Sequence, residues 1–169
     1  MADLTALDFE LANQELAIEL GVALKAHGQM LALAESCTGG MVAEVVTSVE
    51  GSSQWFERGF VTYSNQSKTD MLGVAAETLA NYGAVSEQTA QSMVLGALSN
   101  SHAQIAASIT GIAGPHGGSI EKPVGTVCFA WAAKDGRLAL ATHHFPGDRT
   151  GIRQLASQQC LLGLLSLLK

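Results

Sequence analysis

Ala34-Glu35-Ser36-Cys37-Thr38-Gly39-Gly40 joins a short apolar run, Met30-Leu31-Ala32-Leu33-Ala34, to the segment Met41-Val42-Ala43-Glu44-Val45-Val46. The first run has the length and apolar content of a buried strand. The second reads as a helix entered through glycine, so a hydroxyl, a thiol and two glycines fall in a strand-to-helix turn. A helix start there would aim unpaired N–H groups at any anion held beside Ser36.

Working outward, Leu16, Leu20, Ala23 and Leu24 recur at helical spacing between about Asp8 and His27, and Gly28 supplies a stop. Beyond the turn, a helix over about 39 to 48 is broken by Glu50-Gly51-Ser52-Ser53, ahead of a short amphipathic piece around Trp55-Phe56. Gly59-Phe60-Val61-Thr62-Tyr63 is β-branched and aromatic, which predicts a second strand ending at Ser64-Asn65, with Lys68 just past it. Two short helical pieces are expected over 66 to 81, then a longer helix from Ser86 to about Asn100. Ile105 to Ile109 is a third strand, running into Thr110-Gly111-Ile112-Ala113-Gly114-Pro115. Residues 114 to 123 lack periodicity and read as a surface loop or flap. Val124 to Ala133 and Leu138 to Phe145 flank Lys134-Asp135-Gly136-Arg137, an Asp-Gly hairpin signal, and Asp148 caps a last helix to about Leu167. Helices separating the first three strands, followed by a hairpin, predict a three-layer α/β/α sandwich with a mixed, mostly parallel sheet of about five strands. Ligands bind such sheets beyond the carboxyl ends of the parallel strands, which gathers Ser36, Tyr63, Lys68 and Thr110 at one edge.

Composition narrows the function classes. The 169 residues suit one domain spanning 1 to 169, and no repeat or linker interrupts them. A net charge of −6 without a basic run argues against nucleic acid as the partner. Cys37, Cys128 and Cys160 are an odd set without paired spacing, which fits free thiols in a reducing compartment. The N-terminus lacks a leader pattern and no apolar run reaches spanning length, so a cytoplasmic protein away from membranes is expected. The histidines at 27, 102, 116, 143 and 144 have no metal-ligand spacing, so neither a metal nor a cofactor is expected.

Ser36 in its turn reads either as an N-cap or as a nucleophile with adjacent N–H groups for an oxyanion. Lys68 is the best-placed base if burial lowers its pKa, against the alternative of a solvated strand-end lysine. Tyr63 could orient a proton between them, or simply finish a half-buried strand. Cys37 competes as nucleophile, because a helix start lowers a thiol's pKa. Arg149 and Arg153 share a helix face and suit either a phosphate clamp or solvent.

Taken together, Ala34-Glu35-Ser36-Cys37-Thr38-Gly39-Gly40, Gly51-Ser52-Ser53 with Trp55-Phe56, and Val61-Thr62-Tyr63-Ser64-Asn65 with Lys68 resemble the CinA C-terminal domain family. The match continues through Gly83-Ala84-Val85-Ser86, Thr110-Gly111-Ile112-Ala113-Gly114-Pro115, Lys122-Pro123-Val124-Gly125-Thr126-Val127 and Gly147-Asp148-Arg149. It runs from about 10 to 165, and the absence of a larger preceding domain points to the family's stand-alone form. The resemblance implies hydrolysis of the carboxamide of nicotinamide mononucleotide to nicotinate mononucleotide and ammonia. It implies a serine nucleophile at Ser36 with a lysine base at Lys68, assisted by Tyr63. Thr38, Gly39 and Gly40 would then serve the oxyanion, while Thr110, Gly111 and Arg149 would hold the phosphate.

Two other readings stay open: a module that binds a nucleotide without catalysis, and a structural role through association. The apolar end Leu161-Leu162-Gly163-Leu164-Leu165-Ser166-Leu167-Leu168 predicts a homo-oligomer, with a dimer favoured, unless that helix fills the core.

Overall fold

A strand apolar at successive positions must be covered on both faces, and the central strands here are nearly so. In a computed structural model of the chain, described over residues 6 to 169, two helical layers supply the cover. The elements run α1 (Ala6–His27), β1 (Leu31–Glu35), α2 (Met41–Thr47), a 3₁₀ turn (Ser52–Gln54), β2 (Phe56–Val61), α3 (Asn65–Leu72), α4 (Ala76–Tyr82) and α5 (Glu87–Ser99). They continue with β3 (Ile105–Gly111), β4 (Thr126–Ala133), β5 (Leu138–His144) and α6 (Arg149–Leu167). The sheet order is β2-β1-β3-β4-β5, with β1 parallel to β2 and β3, and β4 antiparallel to both its neighbours. This is the expected α/β/α sandwich with a mixed sheet.

The two faces differ in kind. Leu31, Leu33, Ile105, Ile109, Phe129 and Trp131 meet α1, α2 and α6 in one apolar core. The intervening positions Ala32, Ala34, Ala106, Ala130 and Ala132 meet α5 and α3 in the other. A face paved with alanine lets α5 lie close, and its fit with α3 is closer still. A Cβ on Gly96 would overlap the Leu72 carbonyl, so glycine at that position sets the approach of the two helices.

Most predicted elements stand, with shifts at boundaries. β2 covers Phe56–Val61 where sequence predicted 59 to 63, so the amphipathic piece around Trp55-Phe56 leads straight into the strand. The cause is edge placement: Glu57 and Arg58 pair with each other on a partly exposed strand, which breaks the alternation that would have revealed it. β4 begins at Thr126, two residues later than predicted, and β3 runs on to Gly111 by pairing with Val127. The predicted caps hold at Ser86, which accepts from the Thr89 N–H, and at Asp148, which accepts from the Gly151 N–H. The C-terminal leucines mainly fill the core: Leu161, Leu164, Leu165 and Leu168 are buried, and a Gly163 Cβ would overlap the Trp131 ring. Their apolarity is therefore met within one chain and does not by itself require a second. Among the described residues no helix is long and apolar enough to cross a membrane.

Gly96→Ala should destabilise the protein by about 1 to 3 kcal/mol despite alanine's better helix propensity, because the new methyl meets backbone and not a movable side chain. A lowered urea midpoint at unchanged m-value checks this, and an unchanged midpoint would contradict the close packing of α5 on α3.

Candidate active site

The carboxyl ends of β1, β2 and β3 share one edge, since Glu35 pairs with both Val61 and Ile109. The first residue there is a buried carboxylate. Glu35 is 1% exposed, and its oxygens accept from the N–H groups of Gly40 at 3.0 Å, Val42 at 3.2 Å and Ala43 at 2.9 Å. The N-terminus of α2 is thus filled by the chain's own anion, where the sequence suggested a place for an external one. A charge closing an otherwise apolar strand was the available signal, because a buried carboxylate must find donors nearby.

Ser36 follows, with its N–H donating to Ile109 O at 3.0 Å. Its partner comes from α3, which Ser64 starts through a reciprocal capping box with Ser67. One turn later, Lys68 is 1% exposed, with Nζ 3.0 Å from Ser36 Oγ and donating to Thr62 O at 2.8 Å. No carboxylate forms an ion pair with this amine among the described residues. Burial pulls its pKa below the ordinary 10.5, a thiolate at Cys37 being the smaller opposing influence. A neutral lysine in contact with a serine hydroxyl is suited to remove its proton. Two further hydroxyls, Thr38 Oγ1 and Thr62 Oγ1, are buried with no partner among the described residues.

Other sequence candidates occupy different stations. Gly39 N–H donates to Ser36 O and Gly40 N–H to Glu35, so both are committed inside the turn and neither is free for an oxyanion. Thr38 N–H meets no protein acceptor among the described residues. Cys37 is no activated thiol: burial pushes its pKa up to about 12, outweighing the nearby Arg153 and Lys68. Thr110 donates its hydroxyl to Ala84 O at 2.7 Å and so holds a loop, and a Cβ on Gly111 would press on Val127 and Cys37, so that glycine serves packing. Tyr63 is exposed, and its hydroxyl accepts from Arg149 at 2.8 Å, while Lys68 contacts Ser36 directly. Arg149 also donates to Gly114 O at 2.7 Å. Arg153, four residues on, turns instead to the Cys37 and Thr38 carbonyls, so the two arginines form no shared clamp. Among the described residues no cluster suits a metal ion.

This edge, with its serine and buried lysine, lies inside a family-model match to the CinA C-terminal domain over residues 13–168. The chain belongs to the CinA C-terminal domain family. A relative from Enterobacter agglomerans described as nicotinamide-nucleotide amidohydrolase PncC is 55% identical over 143 residues, covering 85% of this chain and 87% of that protein. A Pseudomonas putida protein of the same description is 47% identical over 153 residues, covering 90% and 94%. Among solved structures, the competence/damage inducible protein CihA from Agrobacterium tumefaciens superimposes with a TM-score of 0.92 at 45% identity, covering 94% of this chain and 96% of that one. The CinA C-terminal fold therefore accounts for the architecture as well as for the motifs at the sheet edge.

The raised pKa of Cys37 has a consequence for stability. A thiol whose folded pKa lies above its unfolded value of 9.0 favours folding below that value, and the contribution is lost as pH rises from 9.0 towards about 12. Folding stability should fall over this range, and the fall should be shallower in Cys37→Ala. Denaturant midpoints at stepped pH check this, and identical slopes would contradict the burial of the thiol.

Proposed function

We propose that this chain hydrolyses the carboxamide of nicotinamide mononucleotide, releasing nicotinate mononucleotide and ammonia, with Ser36 as nucleophile and Lys68 as general base. The observation that carries this is the buried amine of Lys68 lying 3.0 Å from Ser36 Oγ without an ion-pair partner, in a chain about half identical to proteins described as nicotinamide-nucleotide amidohydrolases. Lys68 in its neutral form takes the Ser36 proton as Oγ adds to the carboxamide carbon. The tetrahedral oxyanion collapses with cleavage of the C–N bond, and the Lys68 ammonium returns its proton to the departing nitrogen, which leaves as ammonia. Water then attacks the acyl-serine, again giving a proton to Lys68, and collapse returns that proton to Ser36 and frees the acid. Thr38 N–H is the donor we assign to the oxyanion. Arg149, at the rim beside Tyr63, is our choice for the substrate's phosphate, and Tyr63 assists by holding that guanidinium.

Ser36→Ala and Lys68→Met should each lower ammonia release from nicotinamide mononucleotide by at least about 10³-fold, while circular dichroism shows the fold kept. Turnover by either variant near the wild-type rate would refute the mechanism. In the wild type, kcat/KM should rise with pH through a single ionisation below 10.5, since the active base is the neutral amine and burial lowers its pKa. Binding of the mononucleotide without product would favour the non-catalytic reading.

We also propose a homodimer. It is supported by the thinly covered edge strand β5, where Leu138 and Leu140 are exposed, and by exposed Leu162 on α6. Sedimentation should give twice the 17.5 kDa chain mass, and a monomer throughout the micromolar range would refute it.

A further inference from the structure

Arg153 is placed by α6, whose neighbouring Ile152 and Ala156 are buried against the sheet. Its side chain spends its fork on backbone: Nε donates to Cys37 O at 3.2 Å and Nη2 to Thr38 O at 2.9 Å. Thr38 O has a second donor, Met41 N–H at 3.1 Å, whereas Cys37 O has Arg153 alone among the described residues. Among the described residues, this guanidinium is therefore the one group that holds the Cys37 carbonyl.

In a trans peptide the N–H points opposite to the C=O. The Cys37 carbonyl is directed at α6, on one face of the sheet, so the Thr38 N–H is directed away from it. That is the side from which α3 brings Lys68 to Ser36 Oγ. A cation on the carbonyl also polarises the amide and strengthens its N–H as a donor. We propose that Arg153 is a positioning residue of the acylation centre, fixing and polarising the Cys37–Thr38 peptide so that Thr38 N–H meets the oxyanion. The proposal rests on the Ser36–Lys68 amidohydrolase reading.

The test separates this role from a grip on the substrate's phosphate, which the spacing of Arg149 and Arg153 equally suggests. An oxyanion donor matters in the transition state and little against the neutral carboxamide of bound substrate, while a phosphate contact is present in both. Arg153→Met should lower kcat by about 10- to 100-fold, somewhat less than outright loss of one oxyanion donor. On the Ser36→Ala background, adding Arg153→Met should change the affinity for nicotinamide mononucleotide, read by calorimetry, by no more than about threefold, and with Ser36 present the pH profile set by Lys68 should not move. Arg153→Lys, which can still reach one carbonyl, should fall between, and it carries the test if the methionine variant does not fold. Arg149→Met should show the reverse pattern, losing substrate affinity more than kcat. Wild-type kcat in the Arg153 variants, or substrate affinity falling as far as kcat/KM, would overturn the positioning role while leaving the Ser36–Lys68 reading intact. Wild-type protein that releases no ammonia would overturn both.

Discussion

A lysine amine sealed from solvent against a serine hydroxyl is the contact on which the rest of this structure turns. Removing an ammonium from water without a carboxylate to meet it is costly, and the cost is relieved when the amine gives up its proton. Among the described residues only a hydroxyl and the Thr62 carbonyl meet it, so the surroundings favour the neutral form. What keeps Lys68 there is ordinary architecture. The Ser64 capping box sets where α3 begins, and Gly96 lets α5 press against that helix's last turn. The register of β1 against β2 brings Thr62 beside Glu35.

The same edge holds a real negative charge, and it is spent on structure. Glu35 closes the start of α2, so the helix's positive end faces an internal carboxylate at 2.9 to 3.2 Å. The turn after Ser36 is consequently not a general anion cradle. Gly39 and Gly40 shape it, with φ of 59° and 101°, but their N–H groups are already given away. An attacking serine here would have to rely on the amide of Thr38.

Local chemistry made much of the fold legible. Asp135-Gly136 announced the β4–β5 hairpin, and Ser86 and Asp148 announced two helix starts, because each signal is completed within a few residues. The edge strand β2 was blurred, since Glu57 and Arg58 satisfy each other and obey no period of two. At the site, the strand-end rule gathered Ser36, Tyr63, Lys68 and Thr110 correctly as neighbours of one edge but could not assign their hydrogen bonds. Strand-end placement makes Thr110 a candidate substrate contact, and its hydroxyl is given to Ala84 O, 26 residues away. Cys37 competes with Ser36 as nucleophile on the strength of its helix start, and burial decides against the thiol. Such choices depend on which long-range partner arrives first, and a single sequence carries little trace of that.

The two arginines of α6 show how far shared spacing can mislead. Four residues apart, they belong to one helix face, and a common phosphate clamp is the economical inference. Yet the face borders two different things: the Cys37 and Thr38 carbonyls on one side, Gly114 and the Tyr63 hydroxyl on the other. Each guanidinium takes the acceptors within its own reach. A single helix, seated on the core through Ile152 and Ala156, thereby fixes both the peptide beside Ser36 and the rim of the site. Motion of α6 would disturb the two together, so the phosphate contact proposed for Arg149 and the positioning role proposed for Arg153 are mechanically linked.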